Sequence, residues 1–328
     1  MSGARIAVVR ALQLGDLLVA VPALRALRRR FPRAEVTLVG LPWAVEFAAR
    51  FARYVDRFAA FPGWPGIPER GFDARRVRAF FARQRRRGYD LAVQLHGSGT
   101  AINPFVFALG ATRVAGPYEG ARPRELDYAA PYEWTGHEID RCLRIAALLD
   151  ADVSDRSLEF PVRGDERAAV RGLLGRSRQR RIAVHAGARS RRRRWPAARF
   201  AAVAGELARE CGATIVLTGS AREARLTRAL ATRLDAPSVD LAGRTPLGVL
   251  AAVLAASDLV LSNDTGVGHL AVAVGAPSVT VWGDADPERW APLDRDRHPI
   301  VRAPGGIRDV LPSQVLAVAR RLLLRAAA

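Results

Sequence analysis

Short apolar runs rich in Val, Ile and Leu alternate along the chain with longer segments in which apolar positions recur at helical spacing. The runs at 6–9, 36–39 and 91–95 are typical of buried strands, and the segments between them, at 17–31 and 44–52, predict helices. Strands that alternate with helices in this way form parallel sheets. The first half of the chain is therefore predicted to be a doubly wound α/β domain.

The alternation begins again after a segment at 160–166 that is rich in proline, glycine and charge. A second set of strands and helices is predicted at 182–185, 197–209, 214–218, 223–234, 246–256, 259–262 and 278–282. An amphipathic helix at 312–328 closes the chain. The pattern thus predicts two domains, 1–160 and 161–328, each with its own doubly wound parallel sheet.

Ligands of open α/β sheets bind beyond the carboxyl ends of the strands. We therefore expect the two sheets to face each other across a cleft, with a ligand site on each side. The segments at 62–72 and 116–136, which are rich in Pro, Gly and charge, are predicted to be loops at this cleft.

The net charge of +19 would ordinarily indicate a polyanionic partner. However, the chain contains no lysine, so all 51 basic residues are arginine, which indicates a coding bias more than a binding surface. The clusters at 28–30 and 85–87 lack the interleaved aromatic residues on which single-stranded nucleic acids stack. Nucleic acid is therefore not expected as a partner, whereas a peripheral contact with an anionic membrane stays open.

No apolar run is long enough for a membrane-spanning helix, and residues 1–10 show no signal-peptide pattern, so a cytoplasmic protein is expected. Cys142 and Cys211 match neither a metal-binding spacing nor a disulfide framework, and we expect both to be small core residues. No metal or cofactor is predicted.

The most informative segment is the polar turn at 263–269, which lies between an apolar strand and an Ala-rich helix. Gly266 allows close backbone approach, Thr265 offers a hydroxyl, and the free amides of a helix start attract a phosphate. His269 falls in the first turn of the helix, where its ring can donate to a phosphate oxygen. Asp264 is either an N-cap, a contact to a bound sugar, or both.

The same turn also matches GxGxxA, the fingerprint of dinucleotide-binding proteins, and Asp284 and Asp286 follow the next strand. A dehydrogenase or a nucleotide-sugar epimerase is therefore the alternative function. A non-enzymatic polyanion-binding protein is a third one.

Three further segments carry candidate chemistry. Asp16, after the first strand, is placed either to accept a proton from an attacking hydroxyl or to cap a helix. The arginines at 191–194 precede a helix and either neutralise a leaving diphosphate or form a solvated loop. Glu223, after another strand, either holds ribose hydroxyls or is an ordinary exposed acid.

Taken together, Leu-Gly-Asp at 14–16, Arg-Arg-Trp-Pro at 193–196 and Asn-Asp-Thr-Gly-x-x-His at 263–269 resemble glycosyltransferase family 9, the ADP-heptose:lipopolysaccharide heptosyltransferases. The resemblance covers nearly the whole chain. It implies a GT-B fold of two Rossmann-like domains and a metal-independent, inverting transfer of a heptose or similar sugar. The donor would be a nucleotide diphosphate sugar, ADP-heptose above all, bound by the second domain. The acceptor, a lipopolysaccharide core or another glycan or lipid-linked molecule, would bind the first.

Carried over by position, the resemblance makes Asp16 the general base and Glu223 a contact to the donor ribose. The residues expected around the diphosphate and the sugar are Arg193, Arg194, Asp264, Thr265, Gly266 and His269. Arg193 stands where the family has a phosphate-binding lysine, so the contact can shift to a neighbouring arginine. Ala186 also stands where the family has a proline. These departures leave the acceptor and the sugar open.

Overall fold

The computed structural model describes residues 3–175 and 179–325. They fold as two compact units that divide between Leu158 and Glu159, next to the segment at 160–166 where the sequence pattern restarts. The described strands of each unit form one sheet in which all pairings are parallel. The doubly wound α/β sheets predicted from the sequence are thus confirmed.

The strands described in the first unit are β1 (Arg5–Val9), β2 (Glu35–Gly40), β3 (Arg57–Ala60), β4 (Leu91–Gln94), β5 (Arg113–Tyr118) and β6 (Tyr128–Pro131). Its helices are α1 (Leu14–Leu18), α2 (Val21–Arg30), α3 (Val45–Arg50), α4 (Ala74–Arg85), α5 (Asn103–Phe107) and α6 (Glu138–Ala147). Across the sheet the order is β3-β2-β1-β4-β5-β6. The strand order reverses between β1 and β4. The loops that follow these two strands therefore run to opposite faces of the sheet and leave a crevice between them.

The second unit repeats this plan with β7 (Arg181–His185), β8 (Thr214–Leu217), β9 (Ser238–Asp240), β10 (Leu259–Asn263), β11 (Ser278–Val281) and β12 (Ile300–Val301). Its helices are α7 (Gly164–Leu174), α8 (Ala197–Cys211), α9 (Ala224–Ala231), α10 (Leu247–Ala255), α11 (Gly266–Ala273), α12 (Pro287–Trp290) and α13 (Pro312–Arg325). The order β9-β8-β7-β10-β11-β12 places the corresponding crevice after β7 and β10.

Both sheets are buried on their two faces because helices cover them. In β1, four consecutive residues from Ile6 to Val9 are fully buried, as expected for a central parallel strand. Aromatic rings fill the core of the first unit, where the ring of Phe105 lies 4.9 Å from that of Phe61. In the second unit Trp195 packs edge-on against Phe200 at 4.9 Å, and its indole N–H donates to the carbonyl of Val310. Trp195 thereby fixes the chain just before α8.

The prediction of a loop at 116–136 is wrong in part, since this segment contains the end of β5 and the whole of β6. Pro131 is tolerated at the end of β6 because β6 is an edge strand, which needs hydrogen bonds on one side only. The closing helix is present as α13, and residues 326–328 of its predicted range lie outside the described residues. Among the described helices none has the length and apolar character needed to cross a membrane.

Candidate functional site

The turn between β10 and α11 presents unpaired polar groups at the carboxyl edge of the second sheet. Thr265 is the N-cap of α11 and Gly266 is its first residue. Asp264 Oδ2 and Thr265 Oγ1 are both buried, and neither makes a hydrogen bond within the described part of the chain. Buried polar atoms are nearly always paired in native proteins. Together with the free amides at the start of α11, these two atoms mark the place of a polar ligand.

The interpretation of Asp264 as an N-cap is wrong, because Thr265 holds that position. The reason is that the strand pairing continues one residue beyond β10: the amide of Asp264 still donates to the carbonyl of Val281 on the neighbouring strand. The Asp264 carboxyl is therefore free of the capping role. Burial raises its pKa, and the charge of Arg193 acts in the opposite direction.

Asn263 joins this turn to the loop that follows β7. Its side-chain amide donates to the carbonyls of Ala186 (2.8 Å) and Gly187 (3.3 Å), while its Oδ1 accepts from the amide of Trp195 at 2.9 Å. The side chain is fully buried. One residue thus spans the crevice where the two loops part, and sets the position of the segment that carries the arginines.

The arginines at 191–194 form a short 3₁₀ turn, Arg191–Arg193, and its following residue. The guanidinium of Arg193 lies 3.8 Å from Asp264 Oδ2, and its side chain is half exposed. Arg194 instead donates through Nε to the carbonyl of Ala188 at 2.8 Å. Arg193 is therefore the arginine that faces the turn at 263–269, whereas Arg194 holds its own loop through the carbonyl of Ala188.

Glu223 lies beside the same loop. Its Oε2 accepts from the amide and the hydroxyl of Ser220, both at 2.8 Å, and its Oε1 lies so close to Gly187 that a β-carbon there would collide with it. Burial tends to raise the pKa of the Glu223 carboxyl, but the hydrogen bonds from Ser220 and the nearby His185 and Arg194 hold it below its usual value. Glu223 is therefore an ionised, half-buried acceptor that also forms a capping box with Ser220, and not the ordinary exposed acid that was its alternative interpretation.

His269 lies on the first turn of α11, as predicted, with its ring 6.3 Å from the ring of Trp290 on α12. Asp286 caps α12 by accepting from the amide of Glu288. The carboxylate of Asp286 is thus used locally, which removes one of the two acids on which the dinucleotide interpretation of this turn depended.

In the first unit Asp16 lies on α1, after β1. Its Oδ2 accepts from the amide of Gln13 at 3.1 Å, so the capping role suggested by the sequence is present. Burial raises the pKa of Asp16, and the negative charge of Glu138 raises it further. The charge of Arg10 and the hydrogen bond from the backbone amide of Gln13 lower it. A carboxylate made more basic in this way is a better proton acceptor.

Arg10 is a functional candidate that the sequence reasoning missed. It follows β1 directly and is buried, and its guanidinium forms an ion pair with Glu138 of α6 at 3.2 Å. Its Nε donates to the carbonyl of Asp16 at 2.6 Å, and its Nη1 donates to the carbonyl of Leu95, just beyond β4. The signal in the sequence was a charged residue directly after the apolar run at 6–9. Arg10 holds together the loops that part at the crevice of the first sheet.

Residues 77–304 match the model of the family described as glycosyltransferase family 9 (heptosyltransferase). Among curated proteins, the chain is 30% identical over 152 residues to lipopolysaccharide heptosyltransferase 2 of Escherichia coli K12, covering 40% of this chain and 43% of that protein. It is 25% identical over 310 residues to lipopolysaccharide heptosyltransferase 1 of Pseudomonas aeruginosa, covering 86% of this chain and 79% of that protein. The first of these matches thus spans less than half of its relative.

Among solved structures, the chain resembles the E. coli ADP-heptose lps heptosyltransferase II with a TM-score of 0.81 and 20% identity. The superposition covers 99% of this chain and 100% of that one. At this identity the likeness concerns the fold, and it confirms the GT-B fold expected from the sequence resemblance.

The amide of Asn263 makes the stability of the second unit sensitive to an isosteric change. In Asn263→Asp an oxygen would replace the group that donates to Ala186 and Gly187, and a charge would be buried. Each unsatisfied buried group costs about 1–3 kcal/mol. We expect a clear fall in the unfolding midpoint of the second unit at pH 8, measured by calorimetry. Ser262→Ala is the matched control, because that neighbouring hydroxyl is buried without a partner among the described residues. An equal effect of the two changes would contradict the assigned role.

Asp16 is expected to reduce stability at neutral pH. Burial raises its folded-state pKa above that of the unfolded chain, so the folded protein binds this proton more tightly and loses stability as the pH rises. The Asp16→Asn protein should therefore unfold at an equal or higher temperature than the wild type at pH 8. The difference between the two unfolding temperatures should grow as the pH rises above about 4. Asp73→Asn provides a control of opposite sign, since the amide of Arg76 lowers the pKa of Asp73. An Asp16→Asn protein that is less stable than the wild type at pH 8 would contradict this account.

Proposed function

Because the chain belongs to glycosyltransferase family 9, we propose that it transfers a heptose from ADP-heptose to a hydroxyl of a lipopolysaccharide core or a related glycan. The observation that carries the proposal is the turn at 263–269, where Asp264 Oδ2 and Thr265 Oγ1, both buried without a hydrogen bond among the described residues, lie with the start of α11 beside Arg193. The name of the E. coli structure refers to ADP-heptose, and the curated relatives are lipopolysaccharide heptosyltransferases. These support the choice of donor and acceptor.

The second unit is the donor-binding domain in this proposal. The amides of α11, the Thr265 hydroxyl and Arg193 hold the diphosphate, with His269 as a further donor from the first turn of the helix. Gly266 lets the phosphate approach the backbone, and Arg194 fixes the loop. Asp264 accepts from a sugar hydroxyl, which would give its Oδ2 a hydrogen-bond partner. The ionised Glu223 accepts from the ribose hydroxyls.

The first unit binds the acceptor and supplies the base. Asp16 accepts the proton of the acceptor hydroxyl while the oxygen attacks the anomeric carbon of the donor. The bond from that carbon to the diphosphate oxygen breaks in the same step, ADP leaves, and the configuration is inverted. Arginine charge and helix amides stabilise the leaving diphosphate, so the reaction is proposed to be metal-independent. The same proposal places the enzyme in the cytoplasm, at the inner face of the membrane when its acceptor is lipid-linked.

The transfer is tested by incubating the purified protein with ADP-heptose and candidate core acceptors and following the product by mass spectrometry. We expect a product heavier by one heptose, and a loss of about 100-fold or more in kcat for Asp16→Asn, because general base catalysis is typically worth that much. A variant that keeps turnover within about tenfold of the wild type would refute Asp16 as the base.

Titration with ADP, UDP and NAD separates this function from its alternatives. Binding selective for ADP supports heptosyl transfer, whereas selectivity for UDP would indicate another sugar nucleotide or an epimerase, and selectivity for NAD a dehydrogenase.

The position of Arg193 predicts an unequal effect of the clustered arginines on ADP affinity. Arg193→Ala should raise the Kd for ADP by about tenfold, since a charge-assisted hydrogen bond to phosphate contributes about 1.5 kcal/mol. Arg191→Ala is the matched control, because Arg191 is an equally charged, exposed residue of the same 3₁₀ turn. Calorimetric titration at two salt concentrations measures both. Equal losses in the two variants would mean that the cluster acts through its summed charge and not through a contact of Arg193.

A further inference from the structure

We propose that Arg10 and Glu138 are positioning residues for Asp16: the guanidinium holds the turn that carries Asp16, and Glu138 holds the guanidinium. The inference rests on the proposed function, because it takes Asp16 as the general base. It adds two residues, one from the end of β1 and one from α6, that do not contact the sugars in the mechanism above.

The contacts of Arg10 connect three segments of the first unit. Its Nε bonds the carbonyl of Asp16 (2.6 Å), its Nη1 bonds the carbonyl of Leu95, and its Nη2 bonds Glu138 (3.2 Å). Nη1 also lies 3.3 Å from the sulfur of Cys142. The planar guanidinium is the side-chain group whose donors point in enough fixed directions to bond α1, the loop after β4, and α6 together.

A purely structural role does not account for this arrangement. Arg10 has 1% of its surface exposed and Glu138 has 4%, so two charges are withdrawn from water. Such a buried pair is often no more stabilising than apolar residues of similar volume, because the cost of desolvation offsets the attraction. The pair does, however, place a positive charge close to Asp16 and hold it at a fixed distance.

The other titratable groups beside the Arg10–Glu138 pair are His96 of the loop after β4, and Cys142 and Arg141 of α6. Burial lowers the pKa of His96 to about 4 and raises the pKa of Cys142 to about 12, so both are uncharged at neutral pH. Arg141 forms an ion pair with the second oxygen of Glu138 at 3.0 Å. The charges that act on Asp16 at neutral pH are therefore those of Arg10 and Glu138. Arg10 lowers the pKa of Asp16, and Glu138 raises it.

The test is the acidic limb of the pH profile of kcat/KM, which reports the pKa of the base in the free enzyme. Removing the positive charge in Arg10→Met should move this limb to higher pH. Removing the negative charge in Glu138→Gln should move it to lower pH. Both variants should also lose kcat, by up to about 100-fold if the turn shifts by 1 Å. Displacements of the acidic limb in opposite directions by the two variants would identify the positioning role. A general loss of structure would not shift the limb to higher pH in one variant and to lower pH in the other.

Two variants complete the design. Arg10→Lys keeps the charge but cannot bond both carbonyls, so its limb should stay near that of the wild type while kcat falls. Arg25→Met is the matched control: Arg25 is also buried and ion-paired, with Asp155, in the same unit. Its loss should leave the limb unchanged. Displacement of the limb in the same direction by Arg10→Met and Glu138→Gln, or no displacement by either, would overturn the inference.

The carboxyl carbon of Asp16 gives a readout that does not depend on transfer. In protein labelled with ¹³C at the aspartate carboxyls, the Asp16 signal is the one that disappears in Asp16→Asn. Its titration should move in the same two directions in Arg10→Met and Glu138→Gln. If Asp16→Asn keeps full activity, the proposed base is wrong. If Asp16→Asn is inactive but neither titration moves, the positioning role alone is wrong.

Discussion

The side-chain amide of Asn263 is the interaction on which the site of the second unit depends. At the point where strand order reverses, the loops after β7 and β10 leave the sheet towards opposite faces, and the strand ladder no longer holds them together. An amide can donate and accept at once, so one side chain bonds carbonyls of one loop and the amide of Trp195 beyond it. The place of Arg193 relative to Asp264 follows from that bond.

The first unit holds the same point of its sheet by different chemistry. There a guanidinium, that of Arg10, bonds the carbonyls of Asp16 and Leu95 from the two diverging loops, and Glu138 balances its charge. The difference suits the two proposed tasks. A neutral side chain beside the proposed diphosphate site adds no charge that competes with a phosphate. A charged brace beside a carboxylate sets how readily that carboxylate takes a proton.

The sequence predicts the features that depend on neighbours along the chain. Strand and helix alternation is local, and so is the polar turn with its glycines, so both sheets and the turn at 263–269 are predictable. Arg10 and Glu138 are separated by 128 residues, and the partners Asn263 and Ala186 by 77, so no local pattern reveals either bond. The error at 116–136 has a related cause: β6 (Tyr-Ala-Ala-Pro) contains no Val, Ile or Leu, and it is a strand through its pairing with β5.

Many arginines of this chain have a structural role, which the net charge alone does not reveal. Several guanidinium groups are bound to backbone carbonyls: Arg25 to that of Ser157, Arg28 to that of Ala34, and Arg141 to that of Glu133. Arginine offers five donors and no acceptor, so it satisfies exposed carbonyls at the ends of helices and strands wherever it falls. A chain that uses arginine at every basic position therefore carries much charge that serves its own backbone. A functional arginine is then recognised by what it faces. Arg193 lies beside the buried carboxylate of Asp264 and the start of α11, so in the proposed function it bonds the diphosphate while Asp264 accepts from a sugar hydroxyl.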